Sequence, residues 1–388
     1  MKKRKICIAT GTRADWGLLS GIAKELKKRS DVELQIVATN MHLSPKFGNT
    51  YKEIVSAGFK INCHVPLLDD NNTPCDTVRS MSIAMTGFAN AFDDLKPNLL
   101  VILGDRYEML AVASVALIYR IPVAHIAGGA ISQGAYDESI RHAITKMSHI
   151  HLTETEEYRR RVIQLGEEPT HVINTGAIGV YNIKHAPFLS KEEIEKEVGL
   201  TIDKNTLLVT FHPATLETIE PGIQCENMLK ALDSHSECNI IFTYPNNDTN
   251  GKIIIKLIEK YATQHPDRCV VFPSLGQLKY LSVLRYAGAV VGNSSSGIVE
   301  VPSMGIPTLN IGIRQQGRLS AESVVNCGVE IEDITKGLDL ILSNEIRNIA
   351  QTIVNPYDQP DSMNKIIDAL CNTPLEGITI KPFYDLPQ

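Results

Sequence analysis

The stretch Gly292-Asn293-Ser294-Ser295-Ser296-Gly297-Ile298-Val299-Glu300-Val301-Pro302 sets two glycines around three serines. Backbone N–H groups and small hydroxyls can therefore crowd one anion without steric penalty. It follows the apolar run 287–291, which reads as a buried strand, and leads into a segment able to start a helix. A helix N-terminus there would add about half a positive charge. Glu300 does not suit a phosphate, which would repel it, but its carboxylate suits sugar hydroxyls such as a ribose diol. A polar strand-to-helix turn capped by a serine is the competing reading of this stretch alone. Arg314, just past a further apolar run, has the guanidinium fork for a bidentate grip on phosphate. With Ser294 and Ser295 it points to a diphosphate site in the C-terminal half.

A second group of residues suits proton transfer. Asp105-Arg106 directly follows the apolar run Leu99–Leu103. The pair is either a surface ion pair worth ~0–1 kcal/mol or a general base tuned by burial and neighbours. In Ala135-Tyr136-Asp137-Glu138-Ser139-Ile140-Arg141-His142, a helix would put Asp137 and Arg141 on one face, and Glu138 beside Arg141 or His142. That is either a helix held by local ion pairs or a carboxylate acting on a sugar at the Asp105 edge. His212, at a strand end before Pro213, titrates near neutrality and reads as an acid, a phosphate ligand or a satisfied core histidine. His42 offers the same choice, whereas His125, inside an apolar run, reads as structural.

The elements that must position these groups alternate strand and helix. Runs 6–9, 34–38, 99–103, 123–126, 150–153 and 172–174 read as strands, with helical patterns at 18–28 and 76–95 and a polar loop through Asp69-Asp70-Asn71-Asn72. Continuous apolar runs such as Leu99-Leu100-Val101-Ile102-Leu103 fit parallel strands buried on both faces. Arg13, Asp105 and the Gly128-Gly129 loop all fall at carboxyl ends, the edge where open α/β sheets bind ligands. The pattern breaks at 181–190, where Pro187 and Lys191-Glu192-Glu193 suggest a linker. A second series follows at 207–211, 240–244 (ending in Pro245-Asn246-Asn247-Asp248), 269–272, 287–291 and 308–311. No GxGxxG follows the first strand, so a nicotinamide cofactor is not indicated.

A chain of 388 residues accommodates two such domains. The net charge of −6 argues against a general nucleic-acid binder. No apolar run approaches the ~20 residues of a membrane span, and the basic start Met1-Lys2-Lys3-Arg4-Lys5 precedes too short an apolar run for a signal peptide. The expected location is cytoplasmic. Eight scattered cysteines without a CxxC pair read as reduced and structural, and the histidines form no HExxH, so no metal is expected.

Taken in register, Gly11-Thr12-Arg13-Ala14-Asp15, Gly104-Asp105-Arg106, Asp137-Glu138-Ser139-Ile140-Arg141-His142, Phe211-His212-Pro213, the 292–300 motif and Gly312-Ile313-Arg314-Gln315 resemble the UDP-N-acetylglucosamine 2-epimerases, in particular the hydrolysing branch of sialic-acid synthesis. The resemblance also covers Ile144-Thr145-Lys146-Met147-Ser148 and 153–158. It implies an α/β fold of glycosyltransferase-B type: two Rossmann-like domains, 1–180 and 181–360, with parallel sheets facing across a cleft. A C-terminal part, 361–388, would return its helix to the first domain. It implies proton transfers by Asp105 and Asp137, with Arg141 orienting Asp137 and His212 helping the leaving group. Arg13, His42, Arg106, Ser294, Ser295, Gly297, Glu300 and Arg314 would bind a UDP-sugar, with no cofactor and a homodimer or homotetramer as the assembly. One departure stands out. Related enzymes often carry an acidic residue near Gly128-Gly129, where this chain has Ala127 and Ala130. That leaves room for a deoxy, methyl-bearing sugar such as diacetylbacillosamine.

Overall fold

The computed structural model describes residues 3–68, 73–214, 216–246 and 250–387. Met1-Lys2, the run Asp69-Asp70-Asn71-Asn72 and Asn247-Asp248 lie outside the described residues. The chain divides into two compact units, one of 1–130, 137–182 and 359–388, the other of 131–136 and 183–358.

Unit 1 is built on a parallel sheet of β1 (Arg4–Thr10), β2 (Val32–Thr39), β3 (Cys63–Val65), β4 (Leu99–Leu103), β5 (Val123–Ile126), β6 (Ile150–Thr153) and β7 (Val172–Asn174), in spatial order 3-2-1-4-5-6-7. The order reverses direction between β1 and β4, which pair through Ile6–Leu99 to Ile8–Val101. Ligands of open α/β sheets collect outside the carboxyl ends at such a reversal, and there stand Gly11-Thr12-Arg13 and Gly104-Asp105-Arg106. One face of β1 and β4 packs Ile6, Ile8, Leu99 and Val101 against Leu19, Ile22 and Ile366. The other packs Cys7, Leu100 and Ile102 against Phe88, Met109 and Val112. Burial on both faces is why β4 lacks the alternation of a half-exposed strand. The C-terminal helix Ser362–Asn372 lies in this unit and buries Ile366 and Leu370. Beyond it, Lys381 donates to Glu167 and to the carbonyls of Lys146 and Ser148.

Unit 2 repeats the plan with β8 (Leu207–Thr210), β9 (Ile240–Thr243), β10 (Cys269–Phe272), β11 (Ala289–Gly292), β12 (Thr308–Ile311) and β13 (Val324–Cys327), in order 10-9-8-11-12-13. Its reversal lies between β8 and β11, paired from Leu207–Ala289 to Thr210–Gly292. His212 follows the first of these strands and Ser294 the second.

Two local expectations change. Residues 181–185 complete the helix Ile178–His185 rather than open a linker, because nothing breaks the helix until Pro187. Lys191-Glu192-Glu193 is the first turn of the helix Lys191–Val198, fixed by a capping box between Ser190 and Glu193. Two edge strands, β3 and β13, were not expected: Cys63-His64-Val65 and Val324-Val325-Asn326-Cys327 are too short and mixed to stand out from loop.

Candidate functional site

In unit 1 the organising group is Arg141, 1 % exposed. It stands one turn into the helix Asp137–Met147, where side chains three and four residues apart share a face. Its Nη1 donates to Glu138 at 2.8 Å and to the carbonyl of Ala130 at 2.9 Å, while Nη2 is paired with Asp105. Burial works against the guanidinium charge, but Asp105, Glu138 and Asp137 outweigh it and raise its pKa. Glu138 also reaches His142, at 3.1 Å, so it bridges Arg141 and His142 rather than choosing one. The expected Arg141–Asp137 partnership is thus one component of a larger cluster whose described hydrogen bonds go to Asp105 and Glu138. The loop after β4 is tied down where the Nε2–H of buried His125 donates to the Gly104 carbonyl at 2.7 Å.

Beside it lies a second charged group that sequence reading missed. Glu108, fully buried, accepts from Arg106 Nε at 2.7 Å and Asn40 Nδ2 at 2.9 Å through the same oxygen. Asp15 accepts from the amides of Gly11 and Thr12, as the third residue of the helix that Thr12 caps. Burial pushes its pKa up to about 6, with Arg106 pulling down and Glu108 pushing up. The missed signal was present: Glu108 sits in the otherwise apolar segment 107–118, and a carboxylate in such a helix needs cationic partners. Arg106 therefore binds a protein carboxylate as well as standing at the strand end. Arg13 does the same with Glu53, at 2.8 Å.

His42 is fully buried, and both ring nitrogens meet threonine hydroxyls, Thr10 at 3.0 Å and Thr50 at 2.9 Å. Burial lowers its pKa to about 4. It ties the end of β1 to the segment after β2 through both ring nitrogens. Ala130 is 1 % exposed and serves the cluster through its carbonyl, and Ala127 holds a left-handed φ of 67°. The two alanines thus shape the loop that seats Arg141, beyond merely lacking a carboxylate.

In unit 2, Gly292 turns the chain out of β11 with φ +131°, and a Cβ there would lie 2.0 Å from the Thr210 carbonyl oxygen, so only glycine fits. The helix that follows, Ser295–Val299, has five residues and continues as a 3-10 turn over Val301–Met304. A helix this short has a small dipole, and polar groups around it carry the local electrostatics. Ser294 caps it, and Ser295 is exposed at its start. Gly297 packs against β12, where a Cβ would meet Thr308 Cγ2 at 2.7 Å. That close helix–strand approach requires a residue without a side chain. Tyr280 donates to Ser296 Oγ at 2.7 Å. Ser296 in turn bonds Glu300, whose pKa burial raises while Ser296 and Arg318 pull it down.

The loop after β8 carries His212, 6 % exposed. Its Nδ1 accepts the Asn246 backbone N–H at 3.1 Å, a role that an unprotonated nitrogen fills, so the ring proton sits on Nε2. Asn293 accepts from the His212 N–H at 2.7 Å and donates to the His212 carbonyl at 2.8 Å. The Asn293 carbonyl accepts from Arg314 Nη1 at 3.1 Å and Gln315 Nε2 at 2.9 Å. His212, the serine turn and Arg314 are therefore brought together at one edge of this unit, and Asn293 is the hub that sequence reading passed over. Among the described residues no grouping of three or more His, Cys, Asp or Glu side chains is placed to hold a metal, and no helix is long and apolar enough to cross a membrane.

The arrangement has known relatives. The family model described as UDP-N-acetylglucosamine 2-epimerase matches residues 24–371. A GDP/UDP-N,N'-diacetylbacillosamine 2-epimerase (hydrolyzing) of Campylobacter jejuni is 43% identical, with 100% of each chain covered. The polysialic acid biosynthesis protein P7 of Escherichia coli is 34% identical, over 99% of this chain and 98% of that protein. The crystal structure of a Neisseria meningitidis UDP-GlcNAc 2-epimerase bound to UDP-GlcNAc superposes with a TM-score of 0.78 at 17% identity, covering 94% of this chain and 99% of that one. That likeness carries the fold, the glycosyltransferase-B class with two Rossmann-like units. On the extent of the family match and the full-length identity, the chain is a member of the UDP-N-acetylglucosamine 2-epimerase family.

Proposed function

We propose that this protein is a hydrolysing sugar-nucleotide 2-epimerase that takes UDP-N-acetylglucosamine to N-acetylmannosamine and UDP. The observation that supports it most is the buried Arg141, which gathers Asp105 and Glu138 at the carboxyl ends of unit 1 beside Asp137. In this reading a carboxylate of that cluster removes the C2 proton while the C1–O bond breaks and its electron pair leaves with UDP, giving a glycal. Water then adds across the double bond, with a proton returned to C2 on the opposite face. Asp105 and Asp137 carry the proton transfers, worth about 10²-fold or more each. Unit 2 supplies the nucleotide grip: Ser294 and Ser295 with Arg314 on the diphosphate, and Glu300 on the ribose. Arg13 and Arg106 supply positive charge at the strand ends of unit 1. No redox cofactor enters this chemistry. The reading carries with it a cytoplasmic location and a homodimer or homotetramer, the latter to be read by sedimentation.

Incubation with UDP-N-acetylglucosamine in deuterated water is expected to release UDP and C2-deuterated N-acetylmannosamine. Release of undeuterated N-acetylglucosamine overturns the elimination mechanism.

A second substrate, nucleotide-linked N,N'-diacetylbacillosamine, is favoured by two observations. The Campylobacter relative named for it is 43% identical over the whole chain. Alanines stand at 127 and 130, so the loop around Gly128-Gly129 offers no carboxylate at either position. Side-by-side turnover of the two nucleotide sugars decides between them by kcat/KM.

A further inference from the structure

Asn293 sits inside the serine-glycine motif, yet the reaction outlined above gives it no part. β8 and β11 pair regularly as far as Thr210 and Gly292, and the last backbone bond between them runs from the Asn293 N–H to the Thr210 carbonyl at 3.2 Å. Gly292 turns away with φ +131°, and Pro213, after His212, has no N–H to continue a ladder. The Asn293 side chain, 1 % exposed, takes over. Its Oδ1 accepts the His212 N–H at 2.7 Å and its Nδ2 donates to the His212 carbonyl at 2.8 Å. A planar carboxamide presents one acceptor and one donor side by side, as the edge of a peptide does, so it satisfies both backbone groups of one residue. The ring of that residue is fixed separately, by Asn246 at Nδ1. Position and tautomer of the imidazole are therefore set by two different residues.

The tautomer limits the chemistry. A neutral ring with its proton on Nε2 helps a departing diphosphate by donating a hydrogen bond; giving up that proton would leave an imidazolate, which is inaccessible near neutrality. A fixed hydrogen-bond donor works only if it is held where charge develops, and a displacement of about 1 Å can cost on the order of 10²-fold.

We propose that Asn293 is a positioning residue for His212: its carboxamide replaces the strand pairing that ends at Gly292 and holds the His212 Nε2–H toward the departing diphosphate. This rests on the epimerase reading and adds a residue to it. The Asn293 carbonyl, which takes the Arg314 bond, belongs to the backbone and survives side-chain substitution.

The test compares the parent, H212A, N293A and H212A/N293A, reading kcat from UDP release and UDP affinity by calorimetry. N293A is expected to lose about tenfold or more in kcat while its UDP affinity stays within about twofold, since the Arg314 contact is kept. The double variant is expected to be no worse than H212A, because two residues acting as a unit are not additive. If N293A does not fold, N293D is read instead: it keeps an acceptor for the His212 N–H but sets an oxygen against the His212 carbonyl, and the same kcat-selective loss is expected. A folded variant with parental kcat, a parallel fall in kcat and UDP affinity, or full additivity with H212A overturns the positioning role. A parent that releases no UDP from either nucleotide sugar overturns the reaction itself, so the two failures are told apart.

Discussion

The same sheet plan is used twice, and the two strand-end edges are furnished in opposite ways. Unit 1 crowds charges: Arg141 with Asp105 and Glu138, Arg106 with Glu108, Arg13 with Glu53. Unit 2 relies mainly on neutral groups, with Asn293 clamping a peptide, Arg314 on the Asn293 carbonyl, and Tyr280 and Ser296 leading to Glu300, on which Arg318 also acts. The difference fits the role proposed for each edge. Buried carboxylates are costly and keep their charge only with cationic partners, a cost consistent with groups that move protons. A diphosphate brings its own negative charge, so a site that binds it needs donors and few carboxylates.

The comparison breaks most severely at Arg141. Arg141→Ala removes the buried partner of the half-buried Asp105 and Glu138; removing one partner of a fully buried pair costs about 3–5 kcal/mol, and the partial exposure of the carboxylates trims this to about 2–3 kcal/mol. The chain's single tryptophan, Trp16, is buried against Phe59 in unit 1, so its fluorescence during urea denaturation reports that unit. A loss below about 1 kcal/mol would mean the cluster is solvated and the contrast between the units is false. Next come Asp105→Asn and Asp137→Asn, near-isosteric changes expected to lower turnover by about 10²-fold or more while UDP affinity is retained. If UDP binding collapses instead, these carboxylates belong to binding rather than to proton transfer.

How much of this was legible follows from the physics of each signal. The central strands were readable because burial on both faces writes an unbroken apolar run, as in Leu99-Leu100-Val101-Ile102-Leu103. The motif residues stood out because glycines, serines and charges follow abruptly on the ends of those apolar runs. Asn293, Glu108 and Ala130 were not, for separate reasons. Asn293 acts through a carboxamide on another residue's backbone, Ala130 through a carbonyl that every residue has, and Glu108 through partners at Asn40 and Arg106 that only the fold brings near. His42 is the converse case. A histidine at a strand end looks the same in sequence whether its nitrogens face a ligand or two threonines.

In unit 2 the expected effects are smaller and fall on affinity. Arg314→Ala removes a charged donor and should weaken UDP binding by about tenfold, with Ser295→Ala, a neutral hydroxyl, weaker still at about threefold. Titration calorimetry with UDP checks both. Equal turnover losses without any change in UDP affinity would make unit 2 a catalytic edge like unit 1.

The smallest effect expected distinguishes the two edges by pH. Asp15 has its pKa pushed up to about 6 by burial, offset by Arg106 and reinforced by Glu108, against an ordinary value of about 3.9. The folded state therefore holds this proton more tightly than the unfolded chain. Its stabilising contribution is complete below about pH 4 and is lost as pH rises through about 6. Asp15→Asn keeps a side-chain oxygen for the Thr12 amide but cannot ionise, so its stability relative to the parent should improve from pH 4.5 to pH 7.5. Because Asp15 is only half-buried, solvent trims the effect to roughly 1 kcal/mol or less. Trp16-monitored denaturation at the two pH values measures it. A parent-to-variant difference that stays constant with pH would show Asp15 titrating as a free carboxylate, and the charged cluster of unit 1 would then end at Glu108.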